Sequence, residues 1–283
     1  MKIARFTEGG HTRLGIVDGD EVIDVGSADP SLPTDLGPLL ADGTIARVAA
    51  QRGSAARLSL SSVRLEAPIA LPPNFLAIGL NYADHVTESG MSKPDMPVVF
   101  NKQISCVTGP FDPIEVPTVA PTLVDYEGEL GVVIGSRCRN VSVDDAPGVV
   151  AGYVIVNDVS VRDWQRASPT MTMGKSWDTH GPIGPWLVTA DEIPDPHDLR
   201  IRTWVNDEVR QDASTKLMIT NCWELIAFLS TAFTLLPGTI IATGTPAGVG
   251  FVMKPPRCLD PGMRVRIEIE GIGTIDNPVI AQA

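Results

Sequence analysis

Residues 123–163 contain the pattern that decides the fold: LVDYEGELGVVIG at 123–135, a short connection, and VAGYVIVNDVSVRD at 150–163. Each segment includes an apolar run rich in β-branched residues, which is typical of strands that enter a core. Acidic residues stand at the start of the first run and at the end of the second. The pattern therefore predicts a buried sheet whose strand ends carry carboxylates.

Three acids of this stretch form a candidate metal site. Glu127 and Glu129 are two residues apart, so on a strand both side chains point to the same face. Neighbouring like charges repel, and such a pair is usually either solvated or bound to a cation. Asp158 ends the second run, and an all-oxygen site of these acids would suit Mg²⁺, Mn²⁺ or Ca²⁺. The alternative is a solvated acidic pair and an ordinary Asn-Asp turn.

The composition is that of a soluble globular protein. The chain has 283 residues, of which 43% are hydrophobic and 20% charged, so it can bury a full core. Its net charge of −12 argues against nucleic acid or an anionic membrane as a partner. No run approaches the ~20 apolar residues of a membrane span. A small anionic substrate stays compatible, since local cations can reverse the field inside a site.

The cysteines and histidines limit the kind of metal site that the chain can build. The four cysteines are widely spaced and form no C-x-x-C pair, which indicates reduced thiols in a cytosolic protein. There are only four histidines, and none falls in an H-x-x-x-H pattern. A bound metal is therefore expected to have mainly carboxylate ligands.

The chain is expected to divide into two domains, 1–68 and 69–283. The first has strand-like pieces around an Asp18-Gly19 turn, which predicts a hairpin, followed by leucines at helical spacing over 36–48. It looks like a small accessory domain without obvious chemistry. The prolines at 68, 72 and 73 mark the boundary.

The sequence predicts two helices, one of them with a capping residue. Asn221 can cap a helix over 221–233 that carries an apolar stripe. A shorter helix over 81–88 places His85 and Glu88 three residues apart, where a carboxylate can orient an imidazole. The alternative is that the polar residues of this helix form only a solvated face. A third, short helix is predicted over 143–150.

The segment 162–189 is dense in polar residues, tryptophan, glycine and proline, and it is predicted to be a long loop. Arg162, Gln165 and Lys175 lie in it and could face an anionic ligand, although surface solubility is the alternative for each. The later IIATGTPAGVG run at 240–250 lacks both nucleotide-loop patterns and is followed by no helix. We therefore expect a buried strand and a turn there, not a nucleotide site.

Six short motifs together resemble the fumarylacetoacetate hydrolase family. They are NYADHVTE at 81–88, DYEGEL at 125–130, NDVSVRD at 157–163 with Gln165, GKSWD at 174–178, GPW at 184–186 and TGTPAGVG at 243–250. Each is weak alone, but all six follow the family's order, and the resemblance covers about residues 72–280. Trp177 and Ala213 depart from the residues that are frequent in the family.

The resemblance implies a β-rich α+β fold with a mixed β-sandwich or roll as catalytic domain and a small N-terminal domain. It implies a cytoplasmic homodimer that binds Mg²⁺, or Mn²⁺, and a small anionic 2-oxo acid. It also implies residue roles: Glu127, Glu129 and Asp158 as metal ligands; His85, Glu88 and Lys175 as catalytic residues; Arg162, Gln165 and Thr245 as substrate-binding residues.

The hypothesis for activity is hydrolysis of a carbon–carbon bond in a 2,4-dioxo acid, such as an acylpyruvate, fumarylpyruvate or a 2,4-diketo-3-deoxy sugar acid. Glu88 would orient His85, and His85 would deprotonate the water that attacks the distal ketone. Pyruvate would leave as an enolate that the metal stabilises. Alternatives within the family are oxaloacetate decarboxylation and 2-oxo or 2-hydroxydienoate isomerisation. A metal-stabilised binding protein without catalysis is the alternative outside it.

Overall fold

The structure is a computed structural model and describes residues 1–283. Nineteen strands and seven α-helices make up its regular elements. The strands are β1 (Lys2–Glu8), β2 (His11–Asp18), β3 (Glu21–Ile23), β4 (Arg57–Ser59), β5 (Arg64–Glu66), β6 (Phe75–Gly79), β7 (Val98–Lys102), β8 (Val107–Thr108), β9 (Ile114–Val116), β10 (Val124–Asp125), β11 (Gly128–Ile134), β12 (Val150–Asn157), β13 (Ser160–Val161), β14 (Gly181–Thr189), β15 (Arg200–Val205), β16 (Glu208–Ser214), β17 (Ile240–Ala242), β18 (Arg264–Ile269) and β19 (Gly273–Ala281). The helices are α1 (Val25–Ala28), α2 (Leu36–Ala41), α3 (Ala46–Ala50), α4 (Ala83–Glu88), α5 (Arg162–Ala167), α6 (Thr172–Lys175) and α7 (Cys222–Ala232).

Most of the strands join one large sheet of twelve strands. Ten of them follow the order β4-β3-β2-β1-β14-β12-β11-β17-β6-β7, while β5 pairs with β1 and β8 pairs with β14. A second sheet has the order β16-β15-β18-β19-β9, and β10 pairs only with β13. The prediction of a β-rich α+β fold is confirmed.

The central strands of the large sheet are buried on both faces. Along β11, Leu130, Val132 and Ile134 belong to the larger apolar cluster, whereas Val133 belongs to a second one. This alternation follows from the two-residue period of a strand. The first face packs against the second sheet and α7, and the other face packs against α2 and α3. A sheet covered on both faces explains why its strands are almost continuously apolar.

The predicted N-terminal domain shares the large sheet with the rest of the chain. Strand β1 pairs with β14, with Lys2 opposite Val188 and Ile3 opposite Leu187. The hairpin predicted around Asp18-Gly19 is present as the β2–β3 turn. Hydrogen bonds between β1 and β14 therefore join the two predicted domains. The division at residue 68 stays a prediction.

Local signals identify some helices and miss others. The prediction for α7 is confirmed: the Asn221 side chain accepts from two backbone amides of its first turn. The helix predicted over 143–150 is instead a 3₁₀ turn over Ala146–Val149 that follows Asp145. The prediction of a long loop over 162–189 is wrong: the segment contains α5 and α6, each too short to show periodicity, and its last nine residues form strand β14. With eleven residues in its longest member, α7, none of the helices is long and apolar enough to cross a membrane.

We expect Gly152 to be intolerant of any side chain, because β12 and β14 meet there without space. A Cβ at this position would lie 2.0 Å from the backbone oxygen of Val188. Overpacking of a tight core typically costs 1–3 kcal/mol, so Gly152→Ala should lower the free energy of unfolding by about that amount or more. Chemical denaturation checks this, with Gly148→Ala as the control, since a Cβ there meets nothing within 4 Å. Equal stability of the two variants would contradict the observed strand packing.

Candidate functional site

Four strands of the large sheet end at the same place and build the candidate site. Because β11 runs antiparallel to β12, its first residues lie beside the last residues of β12, and Gly128 is opposite Asn157. Strand β17 is antiparallel to β11 and parallel to β6. The last residues of β17 and of β6 therefore also lie at the same end of the sheet as the first residues of β11. The segments that follow them carry Asp158, Thr245 and His85.

The three predicted acidic ligands lie together. Oxygen atoms of Glu127, Glu129 and Asp158 are all within 4.8 Å of one another, and the three residues are at most 5% exposed. Glu129 belongs to β11, whereas Glu127 lies just before it. The Asp158 amide donates to the Glu127 carbonyl at 2.9 Å, which fixes the two chain segments side by side.

Two lysines hold the carboxylates of this cluster. The Lys175 ammonium donates to Glu127 and to Asp158, at 2.7 Å in each case, and so bridges the two acids. Lys102 donates to the second oxygen of Asp158 at 2.7 Å and to the Lys175 carbonyl. Burial opposes the charge of Lys102, but the neighbouring Asp158 carboxylate keeps the pKa of Lys102 above its usual value.

An arginine closes the other side of the cluster. Arg162 donates to Glu127 at 2.5 Å and binds Asp125 through Nε and a terminal nitrogen at 3.0 and 2.8 Å. Burial would raise the pKa of Glu127, but the charges of Lys175 and Arg162 outweigh it and lower that pKa to about 2. Glu127 is therefore ionised.

Glu129 is the member of the cluster that lacks a basic partner. Its carboxylate accepts a hydrogen bond from the Gly244 amide at 2.8 Å, and no lysine, arginine or histidine nitrogen lies within 4.0 Å of it. Burial, together with the charges of Asp158 and Glu127, raises the pKa of Glu129 well above its usual range.

The cluster fits a divalent cation. It contains four buried acids, Asp125 included, but only three buried bases: Lys102, Arg162 and Lys175. A buried carboxylate without a counter-ion is costly, so the site needs either a proton or another cation. Three carboxylates facing one point are ligands that hard cations such as Mg²⁺ and Mn²⁺ accept. The Lys175 ammonium lies between two of these ligands, in the position of a stand-in cation.

The predicted pair of His85 and Glu88 is hydrogen-bonded. His85 Nδ1 lies 2.7 Å from Glu88 Oε1, and Glu88 Oε2 accepts from the Gly248 amide at 2.9 Å. An imidazole that donates from Nδ1 to a carboxylate carries its lone pair on Nε2. His85, Glu127 and Glu129 line the same cavity, so the imidazole and two of the three acids face a common space.

The cavity has a volume of about 830 Å³, which is within the usual size range of ligand pockets. The predicted substrate-binding residues Arg162, Gln165 and Thr245 all line it. Gln165 accepts from Arg162 at 3.1 Å. The Thr245 hydroxyl donates to the Gly128 carbonyl and accepts from Gln211, so it is not free to donate to a ligand while these bonds last.

Sequence reasoning missed Lys102 and Asp125 as members of the buried cluster. Lys102 ends β7, which lies four positions from β12 in the sheet, about 19 Å in a flat sheet at the usual strand spacing. Its ammonium nevertheless reaches Asp158, so the sheet curls strongly, and no local pattern reports such a curl. Asp125 begins the DYEGEL motif and could have been found as a third acid beside the Glu127–Glu129 pair.

Comparison with protein families supports the geometric description. The family model described as "Fumarylacetoacetate (FAA) hydrolase C-terminal" matches residues 74–280, and the one described as "Rv2993c-like, N-terminal" matches residues 1–68. An oxaloacetate tautomerase from Xenopus laevis mitochondria is 40% identical over 289 residues, which cover 99% of this chain and 90% of that protein.

Two solved structures are similar over their full length. A fumarylacetoacetate hydrolase from Exiguobacterium antarcticum has a TM-score of 0.90 at 40% identity, with 100% of both chains covered. A maleylpyruvate hydrolase from a Sphingobium species, solved with manganese(II) and pyruvate, has a TM-score of 0.84 at 35% identity, again covering 100% of both chains.

Because the Lys175 ammonium occupies the space between two ligands, we expect it to compete with a divalent cation. Lys175→Met should bind Mn²⁺ at least about tenfold more tightly than the unaltered protein, a difference of about 1.4 kcal/mol. Titration calorimetry measures the affinity directly. The rise of the melting temperature with added Mn²⁺ should also be larger in the variant, since the metal binds the folded state.

The control for this measurement is Lys216→Met, because Lys216 is exposed and pairs only with Asp198. Its Mn²⁺ affinity should equal that of the unaltered protein. Weaker Mn²⁺ binding by Lys175→Met would mean that the lysine supports the metal instead of standing in for it.

Proposed function

The chain belongs to the fumarylacetoacetate hydrolase family, and we propose that it hydrolyses a carbon–carbon bond in a 2,4-dioxo acid, giving pyruvate and an organic acid. The observation that carries the proposal is that His85, hydrogen-bonded to Glu88, lines the same cavity as Glu127 and Glu129 of the three-carboxylate cluster. Such an arrangement combines a base for water with a site for a cation. We propose Mg²⁺ as the cation, with Mn²⁺ as the alternative.

The chain's own residues account for the proton transfers. Glu88 holds the Nδ1 proton of His85, so that Nε2 can take a proton from a water molecule in the cavity. The resulting hydroxide attacks the distal ketone carbon, the bond between the third and fourth carbons breaks, and its electron pair stays on the pyruvate fragment. His85 then returns the proton to that fragment, which leaves as pyruvate.

Positive charge near the reacting carbons would stabilise the electron pair that the pyruvate fragment receives. A divalent cation held by Glu127, Glu129 and Asp158 would supply Lewis-acid stabilisation when bound. Lys175, displaced from between these acids by the cation but still beside them, would add a second positive charge. Removal of one electrostatic contact of this kind typically lowers the rate about 10²–10³-fold.

The size of the cavity favours a substrate with an acyl tail. Its volume of about 830 Å³ corresponds to more than twenty water molecules at roughly 30 Å³ each. A pyruvate unit, with only six non-hydrogen atoms, would fill a small part of it. Beyond the acids its walls include Met91, Val98, Phe100 and Met171. Oxaloacetate, whose tail is a single carboxylate, would leave these apolar walls largely without contacts.

A second candidate is keto–enol tautomerisation of oxaloacetate. It is favoured by the 40% identity to the Xenopus laevis protein named for that activity. The reaction moves one proton between carbon and oxygen, which the His85–Glu88 pair could perform without attacking water. Decarboxylation of oxaloacetate would likewise need no attacking water, but it would release carbon dioxide.

The setting of the reaction forms part of the proposal. We propose a cytoplasmic homodimer that acts on small anionic 2-oxo acids and binds neither nucleic acid nor membranes. The net charge of −12 supports the exclusion of nucleic acid and anionic membranes, and the four free cysteines support the cytoplasmic location. Light scattering of the purified protein would give its oligomeric state.

A turnover assay separates the candidates. With Mg²⁺ or Mn²⁺, acetylpyruvate and fumarylpyruvate should each give pyruvate plus the matching organic acid. His85→Asn should lower kcat at least about 100-fold, because general-base catalysis contributes 10²–10⁴-fold. The control His11→Asn changes an exposed histidine on β2 and should keep full activity.

Other outcomes of the same assay point elsewhere. Loss of the enol absorbance of oxaloacetate without pyruvate would make the protein a tautomerase, and pyruvate with carbon dioxide would make it a decarboxylase. Unchanged hydrolysis by His85→Asn would remove the pair from the mechanism. Mn²⁺ affinity of His85→Asn should stay near that of the unaltered protein, which separates loss of the base from loss of the metal.

A further inference from the structure

Arg166 lies in the wall of the cavity, away from the buried cluster. It follows Arg162 by four residues on α5, and side chains at this spacing share one face of a helix. Both arginines line the cavity. The two positions are separated by roughly 6 Å along the helix axis, at 1.5 Å per residue. Arg166 therefore lies about one helical turn away from the arginine that binds the buried cluster.

The charge of Arg166 is unlike that of the other cations around the cavity. Lys175 and Arg162 are both neutralised by carboxylates of the cluster. Arg166 has no carboxylate oxygen within 4.0 Å and no hydrogen bond to any protein group. It is exposed at the cavity wall. An anionic group that enters the cavity would find its free positive charge here.

The guanidinium group lies over the Phe251 ring. The central carbon of the guanidinium lies 5.6 Å from the centre of the Phe251 ring, and the ring lines the same cavity. A guanidinium attracted to an aromatic ring makes no hydrogen bond with it, so its N–H edge stays free. That edge matches a carboxylate in the paired, two-bond geometry that arginine favours. A solvated surface arginine would have neither this support nor this position.

We infer that Arg166, placed over the Phe251 ring, forms a subsite for a second carboxylate at the end of the substrate tail. The preferred substrate would then be a 2-oxo acid whose acyl group ends in a carboxylate, and not a neutral acyl group such as acetyl. This inference rests on the proposed function for the end of the substrate that meets the acids and His85. It adds a residue that selects the tail.

The overall negative charge of the protein opposes the preference that Arg166 is expected to produce. With a net charge of −12, the protein should on average repel a ligand that carries an additional negative charge. A preference for the ligand with the second carboxylate must therefore come from a local cation. The effect of Arg166 can be isolated by comparing two ligands that differ only in the terminal group.

Equilibrium binding provides the test, because it does not depend on turnover. Calorimetry on the Mn²⁺-loaded protein would compare 2-oxoadipate with 2-oxohexanoate, and 2-oxopimelate with 2-oxoheptanoate. These ligands have no 4-oxo group and cannot undergo the proposed cleavage. In at least one pair the dicarboxylate should bind about 10- to 100-fold more tightly, as expected for a hydrogen-bonded charge pair.

Three variants assign the preference to the residue. Arg166→Met keeps an apolar side chain against Phe251 but removes the charge, and it should reduce the preference to below about threefold. Arg166→Lys should keep an intermediate preference, since an ammonium lacks the paired geometry. Arg137→Met is the control, because Arg137 is exposed and does not line the cavity. It should keep the full preference.

Two results would overturn the inference: equal binding of both members of each pair by the unaltered protein, or a preference that survives Arg166→Met. The proposed function is judged separately, by turnover of acetylpyruvate and fumarylpyruvate. A dicarboxylate preference without turnover of any acylpyruvate would leave the subsite intact and reject the hydrolase. Turnover of acetylpyruvate and fumarylpyruvate without a preference for dicarboxylate ligands would support the hydrolase and reject the subsite.

Discussion

Four carboxylates and three basic groups, buried together at the end of the large sheet, set the constraint on which the rest of the structure depends. Charges removed from water are tolerated only when partners are held at hydrogen-bond distance. The partners come from separate elements: Lys102 from β7, Arg162 from α5 and Lys175 from α6. Each element is thereby fixed relative to β11 and β12, and the excess of one acid leaves the cluster with a place for a cation.

The second sheet supports this cluster from outside. The Gln211 side chain on β16 accepts from the Gly128 amide at 3.0 Å. Its amide group donates to the Thr245 hydroxyl at 2.7 Å and to the Pro246 carbonyl at 2.9 Å. One side chain thus joins the start of β11 to the loop that follows β17. The same loop holds Glu88 through Gly248, so the orientation of His85 depends on a sheet that contributes no acid to the cluster.

Sequence patterns predicted what depends on neighbours in the chain. The apolar runs of β11 and β12, the cap of α7 and the spacing of His85 and Glu88 are all local, and the structure contains each of them. The acids Glu127, Glu129 and Asp158 could be grouped because two adjacent strands carry them. The motif resemblance then supplied roles that residue patterns alone left open, and those roles await experiment.

What the sequence could not predict depends on distant parts of the chain. Lys102 reaches Asp158 only because the sheet curls, and curvature accumulates over many strands. Helices α5 and α6, of six and four residues, are too short to show a helical period, and glycines and prolines interrupt the apolar pattern of β14, so the sequence of 162–189 resembles a loop. The free charge of Arg166 is visible only once every carboxylate has a position, because a sequence does not report which charges are paired.

The pairing of β1 with β14 gives the N-terminal segment a protective role that is independent of catalysis. Without β1, part of the β14 edge would present unpaired backbone groups beside the apolar side chains of Leu187 and Val188, both fully buried here. Exposed edges of that kind recruit strands from other molecules and lead to aggregation. A shortened chain would therefore keep every acid of the cluster yet be prone to precipitate. In this fold the first strand covers an edge of the sheet, so the N-terminal segment cannot be deleted without exposing that edge.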